Sequence, residues 1–404
     1  MSPRLKVLLV TETILPQLGG GETQADLLAS GLAARGHGVT VVARRSIPGS
    51  PPEEQARYRV LRVGPDAGGR WRKWGLLVTL PPVLRSLVLE QDVIVVSGFR
   101  LLGLPVIKAA RAANKPVVLK ADSPGEWSGE YFSPGLAAWR LTRETLPIKR
   151  WLASRNRRLS QAAAFVAMGE SLRHELLSGG VAADRVSVIP NGVDTHRFAQ
   201  VNPETRQHLR SRLGLPAGPV LIFCGRLVRY KGLESLLAAW NDTSRMHPSA
   251  TLVLVGEGGH DMDACGTQLR AYVTDRGLHG RVRFVGAVQD PVPWLQASDI
   301  FVFPTEREAF GLALVEAMAC GLPSITTTVG ALQDFVEDGR NAIVVTPGDT
   351  AGLKTAMARL LSDLQLADTI GQAAREVAVD RFSAERVVTD WESLLMSVVR
   401  GQRP

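Results

Sequence analysis

The 404-residue sequence predicts an α/β protein of two doubly wound parallel sheets facing each other across a cleft, and three observations carry that prediction. Short apolar runs alternate with segments of helical periodicity, the pattern of a parallel sheet covered by helices on both faces. The second half repeats this order without obvious sequence identity. The length is more than twice the ~150 residues of one domain.

In the first half, residues 7–10 read as a buried strand, followed by Gly19, Gly20 and Gly21 and a helix over 23–34 with Ala25, Leu28 and Leu32 on one face. A tight turn at 35–38 leads to a strand at 39–43, and runs at 93–96, 116–119 and 163–167 supply three more. Residues 186–190 close the half, and Asn191, Gly192 and Pro203 mark the linker, which puts the division at 195/196. In the second half, runs at 220–224, 251–255, 282–285, 300–303, 324–327 and 342–345 are β-rich, with helices at 233–240 and 312–319 among the connections. Ligands of open α/β sheets bind at the carboxyl ends of the strands, so the site is expected in the cleft.

Composition excludes several classes. Hydrophobic residues are 45% and charged residues 21%, which fits neither disorder nor a coiled coil. Cys224, Cys265 and Cys320 are widely spaced without a CxxC pair, so they form no disulfide framework or zinc module, and a reducing, cytoplasmic setting is expected. The N-terminal apolar run is too short for a signal peptide, and the greasy stretch at 75–84 is too short to span a bilayer. The net charge of +8 is uneven: residues 1–190 hold 26 Lys and Arg against 15 Asp and Glu. That half is expected to meet something anionic, such as a phospholipid surface or a phosphate-bearing acceptor, or else to present a solvated basic face. Nucleic acid is disfavoured, because aromatic residues are few and no basic-aromatic module is present.

The chemistry concentrates in the second half. Residues 225–232, GRLVRYKG, follow a strand and open a helix, so Arg226 and Lys231 can converge on an anion, and a diphosphate fits there. Residues 304–323, PTEREAFGLALVEAMACGLP, place Glu308 in the loop after a strand and Glu316 about two turns into the next helix. Two carboxylates so placed suit two hydroxyl-bearing parts of one extended ligand, with the backbone N–H groups of Phe310, Gly311 and Leu312 available to phosphates between them.

These segments, with IPNGVD at 189–194, LVGEG at 254–258 and VRFVG at 282–286, resemble the nucleotide-sugar-dependent retaining glycosyltransferases of family 4 over nearly the whole chain. The resemblance implies the GT-B fold, with the acceptor on the first domain, the donor on the second (196–381), and a final helix at 382–404 crossing back to the first. It implies that Arg226 and Lys231 hold the diphosphate of a UDP- or GDP-sugar, that Glu308 contacts the donor sugar and Glu316 the ribose, and that Gly20 and Gly21 also bind donor. No metal or other cofactor is implied. Most relatives carry a His after the strand at 116–119, where this chain places Asp122, assigned here to the catalytic set with Arg226, Lys231 and Glu308. Where relatives read Gly-Gly and then Glu, this chain has GALQD at 330–334.

Other motifs weigh less. Asp261-Met262-Asp263 is a lone Asp-x-Asp after a glycine-rich turn, His37 sits in a tight turn and reads as structural, and neither a zinc-hydrolase pattern nor a P-loop occurs. Trp71-Arg72-Lys73-Trp74, and Trp139-Arg140 through Arg150-Trp151 to Arg157-Arg158, combine tryptophan with positive charge, as in segments that rest peripherally on the inner face of an anionic membrane. The expected function is sugar transfer to a glycan or lipid-linked acceptor in surface polysaccharide assembly. The rivals are a GT-B-like epimerase or phosphorylase and a catalytically weak sugar-nucleotide-binding subunit.

Overall fold

The computed structural model describes residues 3–16, 19–45, 53–55, 57–64, 71–259 and 263–402, the side chains of 53–55, 71–74, 77 and 134 excepted. They divide into two compact units, Met1–Gly192 with Ala384–Pro404, and Val193–Ser383.

The first unit contains β1 (Lys6–Val10), α1 (Gly20–Ala34), β2 (Gly38–Arg44), β3 (Glu53–Gln55), β4 (Arg59–Val63), α2 (Trp71–Leu87), β5 (Val93–Ser97) and α3 (Phe99–Ala112). It continues through β6 (Val117–Lys120), α4 (Ser133–Ala137), α5 (Leu146–Leu159), β7 (Ala164–Ala167), α6 (Glu170–Ser178) and β8 (Val186–Val188). The strand order is β3-β4-β2-β1-β5-β6-β7-β8, parallel throughout except for β3, which runs antiparallel to β4. Central strands buried on both faces are apolar along their length, which is why 7–10 and 93–96 were readable. The β3–β4 pair was not anticipated: β4 reads Arg-Val-Leu-Arg-Val, and its Arg62 is buried, donating to the carbonyl of Leu15 at 2.9 Å. The stretch at 75–84 lies in α2, which continues through Pro81 and Pro82 with Leu76, Leu80 and Leu84 buried at helical spacing.

The second unit holds α7 (Pro203–Leu213), β9 (Val220–Cys224), α8 (Leu233–Met246), β10 (Thr251–Val255), α9 (Gly266–Asp275), β11 (Val282–Gly286), α10 (Val292–Gln296) and β12 (Ile300–Phe303). After these come α11 (Leu312–Ala319), β13 (Ser324–Thr326), β14 (Ile343–Val344), α12 (Thr350–Ser362) and α13 (Leu364–Phe382). Its six strands are all parallel in the order β11-β10-β9-β12-β13-β14, so the winding reverses between β9 and β12. Ligands of open α/β sheets bind beside the carboxyl ends of strands at such a reversal, and the second-unit candidates lie on the loops that leave β9 and β12 or in the first turns of α11.

The helical run is interrupted at Ser383, the residue after α13, and α14 (Ala384–Val399) belongs to the first unit. Phe382, read from sequence as the start of that helix, instead ends α13, buried against Phe310 and Phe335. Along α14, Val387, Val388, Trp391, Leu394, Leu395 and Val398 form one buried face. Gly31 of α1 makes the contact possible, since a Cβ there would lie 2.4 Å from Val388. His37 is buried and structural: its Nδ1 accepts from the Leu5 N–H at 3.1 Å, and its Nε2 lies 3.0 Å from Glu392 of α14.

Candidate functional site

At the β9/β12 reversal, Lys231 Nζ stands 2.5 Å from Glu308 Oε2, with side chains only 11% and 15% exposed. Lys231 also lies 4.7 Å from the centre of the Phe303 ring. Two glycines let the loops approach this closely. A Cβ on Gly232, at φ +69°, would fall 2.1 Å from the Pro304 carbonyl oxygen, and one on Gly330, at φ +59°, 1.8 Å from that of Glu308. The Tyr230 carbonyl accepts from Glu306 N at 2.8 Å and Thr305 Oγ1 at 3.2 Å, binding the β12 loop to the β9 loop.

Sequence reasoning missed Tyr230 and Arg307. Arg226 donates to the Tyr230 hydroxyl at 2.6 Å, and the cationic groups of Arg226, Lys231 and Arg307 lie 5.9, 5.7 and 4.8 Å from the Tyr230 ring centre. Tyr230 thus gathers three positive charges around it beside the Glu308 carboxylate, Arg226 at its hydroxyl and Lys231 and Arg307 near its ring. No periodicity marks Tyr230; its place between two cations in GRLVRYKG was the available signal.

Gly311 caps α11 in the left-handed region at φ +92°, and the first turn of that helix leaves backbone N–H groups without intrahelical partners. Phe310 contributes only its backbone to such a site, because its ring packs in the core. Glu316 is the fifth residue of α11, one turn in rather than the expected two, since the helix begins only at Leu312. Its half-buried carboxyl has no hydrogen-bond or ion-pair partner among the described residues. Burial pushes it up to about 8; Arg197 opposes the shift, and Asp290, itself 2.7 Å from Arg197, adds to it. Burial and the Glu316 charge push the Cys224 and Cys320 thiols up to about 12.

Asp122, Gly20 and Gly21 belong to the first unit. Gly20 and Gly21 form the first turn of α1 rather than a preceding loop. Asp122 follows β6: its Oδ2 accepts from Ser97 Oγ at 2.6 Å, and its Oδ1 pairs with Lys120. Its loop is braced on three sides. The Glu175 carboxylate accepts from the N–H groups of Gly125, Trp127 and Ser128 at 2.8, 3.0 and 2.9 Å. The buried Arg155 donates to the Glu126 carbonyl at 2.6 Å, and Asn156 donates to that of Trp127 at 2.9 Å. The Trp127 ring meets Phe165 edge-on at 5.5 Å. Within this loop the Glu126 carboxyl is fully buried. Its Oε1 accepts from the Asp122 N–H and Ser123 Oγ, both at 3.2 Å, while its Oε2 has no partner.

Asp261 and Met262 lie outside the described residues, and Asp263 stands 3.8 Å from Arg307. Among the described residues no three His, Cys, Asp or Glu side chains are grouped to hold a metal, and no helix is long and apolar enough to cross a membrane. The side chains of Trp71, Arg72, Lys73 and Trp74 are outside the described set. Trp139, Leu146 and Trp151 are exposed, Trp139 at 79%, among the exposed Arg140, Lys149, Arg150, Arg157 and Arg158.

The sequence family described as Glycosyltransferase Family 4 matches residues 18–197, and that described as Glycosyl transferases group 1 matches residues 218–363. A Mycobacterium tuberculosis protein named glycogen synthase is 28% identical, over 99% of this chain and 96% of its own. A Mycolicibacterium smegmatis protein named GDP-mannose-dependent alpha-(1-6)-phosphatidylinositol monomannoside mannosyltransferase is 29% identical, over 93% and 94%. Among solved structures, Anabaena HepE in complex with UDP and glucose superimposes with a TM-score of 0.76 at 23% identity, over 98% of this chain and 100% of the other. Sucrose-phosphate synthase from Thermosynechococcus elongatus gives a TM-score of 0.80 at 24% identity, with the same coverage.

Proposed function

Since this chain belongs to glycosyltransferase family 4 and has the GT-B fold, we propose that it transfers a sugar from a nucleoside diphosphate donor, with retained configuration, to a glycan or lipid-linked acceptor. The supporting observation is the Lys231–Glu308 pair at the strand reversal, beside the N-terminus of α11. Without ligand the two neutralise each other. A bound donor separates their roles: Lys231 and Arg226 meet the diphosphate and Glu308 accepts from a sugar hydroxyl, while the N–H groups of Phe310, Gly311 and Leu312 take phosphate oxygens. As the bond from the anomeric carbon to the diphosphate oxygen breaks, its electron pair leaves with the diphosphate, where preorganised cations and N–H groups stabilise the growing charge. The acceptor hydroxyl attacks from the face the diphosphate vacates, a new carbon–oxygen bond forms, and a phosphate oxygen takes the hydroxyl proton. In the first unit, Asp122 is assigned to accept a hydrogen bond from a substrate sugar, and Gly20 and Gly21 to offer backbone N–H groups to substrate.

Arg226 and Lys231 supply the positive charge a divalent ion would otherwise bring, so transfer proceeds without one. Two relatives support the donor class: HepE is solved with UDP and glucose, and the mycobacterial mannosyltransferase is named as GDP-mannose-dependent. The exposed Trp139, Leu146 and Trp151 among five exposed cations support an acceptor held peripherally at an anionic membrane. Incubation with a panel of UDP- and GDP-sugars, with slow hydrolysis as the readout, tests the reading and identifies the donor. Lys231→Ala and Arg226→Ala should each lower kcat about a hundredfold, on the order of 3 kcal/mol per contact, with folding intact and EDTA without effect. Unchanged turnover in both variants would remove the proposal.

A further inference from the structure

The first unit holds a buried acid for which neither the fold nor the proposed chemistry has yet given a reason. Glu126 is 1% exposed, its Oε2 has no partner, and it stands four residues beyond Asp122, whose N–H it accepts. A carboxylate buried with an unmet oxygen and no paired cation is costly. We propose that Glu126 is a positioning residue for Asp122: by keeping a proton of its own behind the β6 loop, it leaves Asp122 as the single carboxylate at that strand end, held in place to accept from the sugar substrate. This rests on the reading that Asp122 meets the sugar.

Four features of the geometry carry the inference. The braces from Glu175, Arg155, Asn156 and Trp127 make the loop rigid, so the placing of both carboxyls is built in rather than incidental. A Cβ on Gly98, at φ +69°, would come 3.4 Å from Asp122 Oδ2 and 4.0 Å from Glu126 Oε1, so a bare glycine backbone flanks both groups. Lys120 and Ser97 are engaged by Asp122, which leaves Glu126 only the Asp122 N–H and the Ser123 hydroxyl. Arg155 spends its short contact on the Glu126 main-chain carbonyl rather than on the carboxyl.

The charged groups facing Glu126 are Asp122, which disfavours its ionisation, and Arg100 on α3 and Arg155 on α5, which favour it. Burial and the Asp122 charge dominate and raise Glu126 to about 7. Below that pH the Glu126 carboxyl is neutral and the loop keeps its braces. Above it, a second negative charge appears at a buried oxygen without a donor, the loop must admit water or a cation, and Asp122 moves.

The test is kcat at saturating donor from pH 6 to pH 8.5, where titration of Glu316, a donor-binding group, no longer registers. Wild-type kcat should fall about tenfold as pH rises through about 7, because even a small misplacement of a positioning group costs that much. In Glu126→Gln, a neutral isostere of the protonated form, the ratio of kcat at the two pH values should return to near one. Arg100→Gln removes a cation that favours ionised Glu126 and should move the limb to higher pH. A wild-type limb that survives in Glu126→Gln, or one that stays in place in Arg100→Gln, overturns the proposal. Asp122→Asn separates it from the reading beneath it. If that variant is slowed about a hundredfold while Glu126→Gln keeps the limb, only the role of Glu126 fails. If Asp122→Asn turns over normally, the reading of Asp122 fails and the role of Glu126 with it.

Discussion

If Glu316 meets the ribose as proposed, nucleotide binding should depend on pH in a direction and size that follow from the surroundings of its carboxyl. Its carboxyl is raised to about 8, chiefly by burial, so at neutral pH it carries a proton that it would shed to accept from two ribose hydroxyls. A ligand that needs the carboxylate binds more tightly as pH rises through 8 and levels off above it. At pH 7 the free protein is about 90% protonated at this group, so UDP or GDP binding should release about 0.9 proton and the Kd should be roughly tenfold weaker than at pH 9. Across pH 7 to 9 the diphosphate is already about 90% ionised or more, since the second phosphate pKa lies near 6, so it adds little to the tenfold change. Calorimetry in buffers of different ionisation enthalpy measures the proton release directly. Glu316→Gln should abolish both the release and the pH dependence, and weaken binding at pH 9 by about tenfold or more, the worth of a charge-assisted hydrogen bond. A wild-type Kd that is flat between pH 7 and 9, or proton release that persists in Glu316→Gln, would refute the argument.

Two further outcomes concern the scaffold. Gly330→Ala must push its Cβ into the Glu308 carbonyl, whereas Gly339→Ala, also at positive φ but with open space around it, suffers backbone strain alone. Thermal unfolding should therefore show about 1 kcal/mol lost in Gly339→Ala and more in Gly330→Ala, and only the latter should lower kcat, through displaced Glu308. Truncation before Ala384 removes six buried side chains at ~1.5–3 kcal/mol each, more than a typical domain's net stability of about 5–15 kcal/mol can absorb with ease. The truncated protein should bind a hydrophobic dye and aggregate, and a soluble, cooperatively unfolding product would contradict the packing described for α14.

What the sequence disclosed and what it concealed follow from where each residue stands in the fold. Lys231 and Glu308 are 77 residues apart, yet both were legible, because each follows an apolar run that had to be a central parallel strand. Their pairing was not legible, because it depends on β9 and β12 being neighbours at the reversal of the winding, a strand order the sequence does not state. Strand β4 was hidden for the opposite reason, since arginines interrupt its apolar pattern and Arg62 is buried only because a distant carbonyl receives it. Asp122 and Glu126 are four residues apart and adjacent in space, but they lie in a loop, where spacing of four carries none of the meaning it has on a helix. Whether the second of them faces water or the interior depends on Glu175 and Arg155, drawn in from α6 and α5, and no pattern within the loop encodes their arrival. Sequence separation was therefore a poor guide to legibility in this chain. The strand end that a residue follows could be read across most of a domain, whereas the depth of a single carboxyl, on which its proton depends, required the packing of α5 and α6 around it.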